Sequence, residues 1–262
     1  MTYGKKGKSL KQEGLRNQWG SPEVVKKDFL LIPIYIVFQN LMPIIIVFGV
    51  LGVHAMITQD LPPLYLYNLM LSVSFVIAQF IVIVSFFALH KLYIADVSFR
   101  QFRIAKRNYL PLIVSVSISA LLLYYAFNFV AQKLPKPLSY DVTQAQLRLE
   151  GLFNHPIAIV FTFITVVALQ PLIQELIYRH LIIHELGKKL NLMVVIVLSI
   201  VIEVSVQVYD LISIMEVIPY LILSIGSIII YIRSGKSLAA SYLYHSSVHL
   251  VIFITTMVEK FF

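Results

Sequence analysis

The stretch LQPLIQELIYRHLIIHELGKKL, residues Leu169–Leu190, combines an apolar helical pattern with polar and charged side chains. Glutamine, glutamate, arginine and histidine interrupt a run whose other residues are mostly leucine and isoleucine. In a membrane-spanning helix such residues need partners, because an ionisable side chain at the bilayer centre costs at least about 2.5 to 3.5 kcal/mol. The composition of the whole chain decides whether this helix lies in a membrane.

The composition is that of a polytopic membrane protein. Of 262 residues, 59% are hydrophobic and 13% are charged, and the mean hydropathy is +0.84, far more apolar than a soluble domain. Because the sequence has no cysteine, disulfides, thiolate zinc sites and a cysteine nucleophile are excluded. The formal charge of +8 comes from basic residues in loops between apolar runs, so it indicates membrane topology. We expect the lipid bilayer as a partner and no nucleic acid.

The sequence predicts an all-α fold, a polytopic transmembrane helical bundle with about seven spans. A helix needs roughly 20 apolar residues to cross about 30 Å of hydrocarbon. We expect a basic cytoplasmic tail at 1–28, N-terminal spans with their loops at 29–155, and a transmembrane core at 156–262. The predicted spans are 29–54, 64–89, 109–131, 156–178, 192–208, 213–232 and 238–258.

Lysine and arginine predict the orientation of these spans. Most of them lie in the N-terminal tail, in the loop 90–108 and in two later loops on the same side. The positive-inside rule therefore predicts a multi-pass protein of the cell membrane with a cytoplasmic N-terminus and an outside C-terminus. The loop 90–108 alternates basic with aromatic and aliphatic residues, which is typical of an interfacial amphipathic segment.

Polar residues cluster in the fourth predicted span, at Gln170, Gln174, Glu175 and Arg179. Glu175 and Arg179 are four positions apart, so they can pair on one face of the helix. Pro171 removes a backbone hydrogen bond and is expected to kink or open the helix. An internal ion pair that fixes the helix against its neighbours is one explanation, and a functional site is the other.

The fifth and last predicted spans carry further polar pairs at four-residue spacing. Glu203 and Gln207 share a face of the fifth span, and a carboxylate there needs a partner such as Arg179 or a histidine. His245 and His249 share a face of the last span. Two histidines at this spacing can bind a divalent metal through their ring nitrogens, or they can be satisfied by hydrogen bonds.

A third histidine pair, His180 and His184, follows Arg179 directly. It lacks the zinc protease pattern, because no glutamate follows His180. We predict interfacial histidines on a short amphipathic helix that ends at Gly187.

The second half of the chain resembles the CPBP family, which comprises the CAAX prenyl proteases and bacteriocin-processing membrane proteins and is also called the Abi family. Members have a first motif of two glutamates, three residues and arginine, a second of phenylalanine, three residues and histidine, and a third of histidine, three residues and asparagine. Here QELIYR, EVSVQ and HSSVH occupy these positions. The resemblance covers about residues 156 to 255 and implies a CPBP-like core.

The resemblance also implies an active site in which catalytic residues have changed. In active relatives the first glutamate and the second-motif histidine are thought to activate water, and the third-motif pair to polarise the scissile carbonyl. Gln174 and Gln207 stand where the water-activating residues belong, and a glutamine cannot accept a proton from water near neutral pH. Among the other motif positions, Glu175, Arg179 and His245 match the family, whereas Glu203 replaces phenylalanine and His249 replaces asparagine.

Two functions follow from this pattern. The first hypothesis is a noncatalytic CPBP-family protein, a pseudoprotease without a cofactor, whose helical cavity and Glu203 bind a partner peptide, membrane protein or lipid-linked ligand. The alternative is an active endopeptidase that cleaves a membrane-proximal peptide of the CAAX or bacteriocin-leader type, with Glu175 or Glu203 as the base. In that alternative His245 and His249 polarise the carbonyl or bind zinc, with the same two glutamates as further ligands.

Overall fold

The structure is a computed structural model that describes residues 22–90 and 93–262. These residues form helices and connecting turns without a β-strand, which confirms the predicted all-α bundle. The helices are α1 (Leu31–Thr58), α2 (Leu64–His90), α3 (Tyr93–Asn108), α4 (Leu110–Ala131), α5 (Gln144–Gly151), α6 (Pro156–Lys188), α7 (Leu192–Gln207), α8 (Val217–Arg233) and α9 (Leu238–Phe261).

Six helices in the described part of the chain are long and apolar enough to cross a bilayer. They are α1, α2, α4, α6, α9 and α8, the last counted with the 3-10 turn Ile214–Glu216 that precedes it, so that it extends over the 20 residues Ile214–Arg233. The fifth predicted span is different. It forms α7, which is apolar but has only 16 residues, about 24 Å at 1.5 Å per residue. The predicted seven spans are thus six full-length helices and one that is shorter than the roughly 30 Å hydrocarbon core.

Helix α6 continues ten residues past its predicted end and changes its winding along the way. It has π-helical turns at Ile164–Leu169 and Glu175–Glu185, and a short 3-10 turn ends it at Lys188. His180 therefore lies inside α6 and is only 3% exposed. The prediction of a separate, interfacial helix for His180 is wrong, because the apolar residues that follow it continue the packed face of the helix.

Helix α6 is the centre of the bundle. It packs against α2, α7 and α9, while α8 packs against α4, α7 and α9. The largest apolar cluster joins Ile173, Leu181 and Ile183 of α6 to Val82 and Phe86 of α2. Helix α1 packs mainly on α2, and many of its apolar side chains lie at the surface of the bundle. Such an apolar surface is typical of a helix that faces lipid.

Polar side chains begin several helices, as the sequence chemistry of N-caps requires. Thr143 accepts a hydrogen bond from the Gln146 amide at the start of α5, and Asn191 accepts one from the Met193 amide at the start of α7. Ser237 does the same at the start of α9. The predicted external loop 132–155 therefore contains one short helix, α5.

The amphipathic segment predicted at 90–108 is helix α3. Its Ala105 is fully buried in the apolar cluster of α4, α8 and α9, whereas Phe99 and the arginines that follow are exposed. The helix is therefore fixed to the bundle by one face and presents basic and aromatic groups on the other. The side of the membrane on which it lies stays a prediction from the positive-inside rule.

The end of the predicted tail 1–28 packs against the bundle. Residues 1–21 lie outside the described residues. The 3-10 turn Lys26–Leu30 leads into α1, and its Asp28 is fully buried. The Val25 amide donates to Glu185 Oε2 at 2.7 Å. This segment is thus attached to the C-terminal part of α6.

Candidate functional site

Arg179 is the centre of a buried polar network. Its side chain is inaccessible to solvent, and Nη1 donates to Glu203 Oε2 at 2.7 Å. The Nε atom lies 3.6 Å from Glu175 Oε2. The predicted pairing of Glu175 with Arg179, and the predicted need of Glu203 for a partner, are both confirmed. One guanidinium therefore neighbours two carboxylates, one on its own helix and one on α7.

Glu175 connects α6 to α8 and α9. Its Oε1 accepts a hydrogen bond from the Ser227 hydroxyl at 2.8 Å and lies 3.0 Å from His245 Nδ1. The Ser227 hydroxyl is also 2.7 Å from that of Ser241. Because Glu175 is only 1% exposed, these contacts lower the cost of burying the carboxylate by satisfying Oε1. Within the described residues Oε2 has no hydrogen bond and faces the Arg179 guanidinium.

Glu203 is held from two sides. Besides the guanidinium of Arg179, the hydroxyl of Ser224 donates to its Oε2 in a short hydrogen bond. Arg179 Nη2 donates in turn to the Ser224 carbonyl at 3.2 Å. These three residues lie on α6, α7 and α8, so the network joins the three helices at one level of the bundle.

A small cavity of about 20 Å³ lies beside this network. A volume of this size holds about one water molecule. The rings of His245 and His249 are 4.8 Å apart, so the predicted pairs of the fifth and last spans meet at this cavity. Its lining residues are Glu203, Val204, Gln207, Tyr220, Leu223, Ser224, His245 and His249.

Gln174 is placed apart from the other predicted site residues. It is 5% exposed, and within the described residues its Oε1 has no hydrogen-bond donor. It is not among the residues that line the small cavity. The structure therefore brings the other six predicted side chains into one network and cavity but leaves Gln174 outside these contacts.

A hydrogen bond from α9 compensates for the proline in α6. Pro171 has no N–H to donate to the carbonyl of Val167, four residues earlier. The Ser246 hydroxyl donates to that carbonyl at 2.6 Å. Since Ser246 follows His245 directly, this bond fixes the position of α9 against α6 where the histidine meets Glu175. Serine side chains commonly satisfy proline-freed carbonyls between membrane helices.

Gly226 allows α8 to approach α9 closely. A Cβ atom at this position would lie 2.0 Å from the hydroxyl oxygen of Tyr244. Tyr244 is 1% exposed, and its hydroxyl donates to the Leu223 carbonyl at 3.1 Å. The neighbour of Tyr244 in sequence is His245, so this tight contact also positions the histidine.

Three serines of the network were not predicted from the sequence. Ser224 and Ser227 occur in the apolar run LILSIGSIII of α8, and Ser241 occurs in α9. Serines are common enough in membrane helices that their identity alone gives no signal. Their spacing does: Ser224 and Ser227 are three residues apart and therefore share a helix face.

A second buried polar cluster was also not predicted. His180 Nε2 is 2.7 Å from Asp28 Oδ2, and His90 Nε2 is 2.9 Å from Asp28 Oδ1. This cluster joins the start of α1, the end of α2 and α6. The sequence signal that could have revealed this cluster is that Asp28 and His90 both lie at the ends of predicted spans. The sequence analysis assigned Asp28 to the tail 1–28 and His90 to the loop 90–108.

The donors of the site do not fit a zinc ion in this arrangement. The two carboxylates face the Arg179 cation, and His245 Nδ1 is directed at Glu175. Within residues 22–90 and 93–262, no three His, Asp or Glu side chains are placed to hold a metal ion. We therefore derive no chemical step through a metal.

Residues 156–251 match the family model described as Type II CAAX prenyl endopeptidase Rce1-like. The match extends from the start of α6 to the middle of α9, which are the helices that carry the network, and it confirms the resemblance to the CPBP family. The helices α1 to α5 lie outside the matched segment. Comparisons with curated proteins and with solved structures found no match.

Proposed function

From this Rce1-like segment with its substituted motifs, we propose that the chain is a noncatalytic membrane protein that binds a peptide or membrane segment of another protein. The observation that carries the proposal is that the single guanidinium of Arg179 pairs with the carboxylates of both Glu175 and Glu203. A general base must present a free lone pair to the water that it activates. In each carboxylate one oxygen already accepts internal hydrogen bonds, namely Oε1 of Glu175 and Oε2 of Glu203, and this supports a structural role for both.

The substituted motif positions support the same proposal. Gln174 cannot accept a proton near neutral pH, and its side chain does not line the small cavity. Loss of a positioned base alone lowers a rate by about 100- to 10,000-fold. Gln207 does line the cavity, but its amide replaces the second residue that activates water in active relatives.

The volume of the cavity is the third support. Room for about one water is far less than the roughly 300 Å³ or more of sites that bind small molecules. A scissile peptide bond with its flanking residues does not fit there without separation of the helices. These features support a structural role for the network, which holds α6, α7, α8 and α9 together.

We assign the partner surface to α7. This helix borders the cavity through Glu203 and Gln207, and its other side exposes apolar residues, with Val197 59% and Val201 54% exposed. At about 24 Å it is shorter than a bilayer core of roughly 30 Å. A helix that is shorter than the hydrocarbon core costs free energy, because its polar ends contact lipid. A partner segment packed along α7 would cover the polar ends of α7 and reduce this cost.

Site-specific photocrosslinking in cells tests this assignment. A benzophenone side chain at Val197 or Val201, which are four residues apart on one helix face, is expected to give the same discrete protein adduct. The matched control is Leu122 of α4, which is 67% exposed and lies on another helix. Adducts only with lipid at both α7 positions, or equal protein adducts at Leu122, would contradict the assignment.

One observation favours a second candidate function, an active endopeptidase with a rearranged site. The one-water cavity lies against Glu203, His245 and His249, which are chemically able to hold and deprotonate a water molecule. Hydrolysis of a prenylated CAAX-type peptide by the purified protein, lost in Glu203→Gln and His245→Ala, would support this candidate. Stoichiometric zinc that is lost in His245→Ala would support its metal-dependent form.

A further inference from the structure

A second, much larger cavity lies where α4 and α9 end. Its volume is about 350 Å³, which falls in the range of small-molecule sites. Its walls are the last turns of α4 and α9 and the connection from Gln132 to α5. It shares no lining residue with the one-water cavity, so it is separate from the function proposed above.

The lining of this cavity is negative. Two exposed carboxylates, Asp141 and Glu259, belong to it, and it contains no lysine or arginine side chain. Glu259 Oε2 accepts a hydrogen bond from the neutral side-chain amide of Gln146 at 2.9 Å, and this bond does not neutralise the carboxylate charge. The carbonyl ends of two helices, which carry partial negative charge, meet at the same place.

Aromatic side chains form the rest of the wall. Phe129, Tyr124, Tyr125 and Tyr140 all line the cavity. The Phe129 ring already contacts one ammonium group, because the Nζ atom of Lys133, a residue that does not line the cavity, lies 4.0 Å from the ring centroid. Aromatic faces attract cations through their quadrupole.

The polar groups of the wall are suited to a cation as well. The Tyr140 hydroxyl donates to Asn128 Oδ1 at 2.7 Å. Burial and the nearby carboxylate of Glu216 raise the pKa of the Tyr140 phenol well above its ordinary value, so this phenol stays neutral. Thr256 is 2% exposed and lines the cavity. A threonine hydroxyl oxygen is an acceptor that a cationic ligand can use.

We propose that this cavity binds an organic cation, through an alkylammonium group that belongs to a water-soluble amine or to the headgroup of an aminolipid. The ammonium lies between the carboxylates of Asp141 and Glu259, and its alkyl part packs on the rings of Phe129 and the tyrosines. Carboxylates and aromatic faces together distinguish such a ligand from an alcohol of equal size and from an anion.

Isothermal titration calorimetry on the purified full chain tests the proposal with 1,5-diaminopentane as the probe. We expect binding of the diamine and none of 1-pentanol. The double variant Asp141→Asn/Glu259→Gln should weaken binding by up to about fivefold for each carboxylate removed, since an exposed ion pair contributes up to about 1 kcal/mol. The matched control is Asp60→Asn, which removes an exposed carboxylate outside the cavity and should leave the affinity unchanged.

A second variant keeps the test independent of the carboxylates. Phe129→Leu removes the aromatic face at a position that is 58% exposed, so folding should survive while diamine affinity falls. The proposal is overturned if the diamine does not bind, or if both cavity variants, folded as judged by their melting temperatures, bind it as tightly as Asp60→Asn does.

An experiment in nanodiscs distinguishes the two possible sources of the ammonium group, a water-soluble amine and the headgroup of an aminolipid. The protein is placed in phosphatidylglycerol discs with or without phosphatidylethanolamine, and the bound diamine is measured at one free concentration. Competition by phosphatidylethanolamine identifies an aminolipid headgroup as the source. Equal binding in both discs identifies a water-soluble amine.

Discussion

The guanidinium of Arg179 and the carboxylate of Glu203 form a buried ion pair between α6 and α7, with Nη1 and Oε2 2.7 Å apart. The same guanidinium lies beside Glu175, four residues earlier on its own helix. This relationship explains how an apolar bundle tolerates two carboxylates. Under the proposed function, this pairing is also what keeps the two carboxylates from acting as bases.

Removal of Arg179 should destabilise the protein strongly. Arg179→Met leaves two buried carboxylates without their cation, and loss of one partner of a buried pair costs about 3 to 5 kcal/mol. The free energy of unfolding in mixed micelles measures this effect. The matched control is Asp210→Asn, which breaks the partly exposed ion pair with Arg148 and should cost about 1 kcal/mol or less. Equal losses for the two variants would contradict a central role of Arg179.

A methyl group at Gly226 should disturb the contact of α8 with α9. Gly226→Ala places a Cβ atom 2.0 Å from the buried hydroxyl of Tyr244, and overpacking of this kind costs about 1 to 3 kcal/mol. The control Gly52→Ala has no atom within 4 Å of the added Cβ and should be neutral or stabilising by up to about 1 kcal/mol. Thermal unfolding of both variants checks this prediction, which fails if Gly226→Ala is as stable as Gly52→Ala.

Ser246 and Pro171 should be energetically coupled. Ser246→Ala leaves the Val167 carbonyl without its donor and should cost about 1 kcal/mol, as interhelical hydrogen bonds in membranes do. In a Pro171→Ala background the helix supplies its own amide, so the same serine substitution should have little effect. A double-mutant cycle of unfolding free energies measures the coupling. Additive effects would show that the hydroxyl does not compensate for the proline.

The buried amide of Gln174 should be dispensable for stability. Because its Oε1 has no donor among the described residues, Gln174→Leu removes an unsatisfied polar atom and should be neutral or stabilising. Gln174→Glu adds a third carboxylate next to Glu175 and should destabilise the protein by at least about 1 kcal/mol. A stable Gln174→Glu protein together with an unstable Gln174→Leu protein would reverse this account.

Much of the fold is readable from the sequence because each span is a long apolar run with polar ends. The predicted run 109–131 is helix Leu110–Ala131, and 238–258 is helix Leu238–Phe261. The end of α6 was missed because His180 and His184 resemble interfacial residues. The burial of His180 depends on Asp28, which lies 152 positions earlier, and no local pattern reports such a contact.

The site was predicted in part. Four-residue spacing within α6 indicates that Glu175 and Arg179 share a helix face. The need of a membrane carboxylate for a partner led to Arg179 or a histidine for Glu203, and the structure has Arg179 there. The serine donors were not predicted, although the spacing of Ser224 and Ser227 places them on one helix face, and the separate location of Gln174 could not be predicted. Both depend on how α8 and α9 pack against α6, which is decided by contacts such as that between Gly226 and Tyr244.

The most direct test of the central claim needs no knowledge of a substrate. Newly formed N-termini of membrane proteins are profiled by mass spectrometry in cells that lack the gene and in cells complemented with the wild type, Glu203→Gln or His245→Ala. The proposed function predicts no cleavage product that depends on these side chains, with all proteins present at equal levels. An N-terminus that appears with the wild type and is lost with both Glu203→Gln and His245→Ala would contradict it.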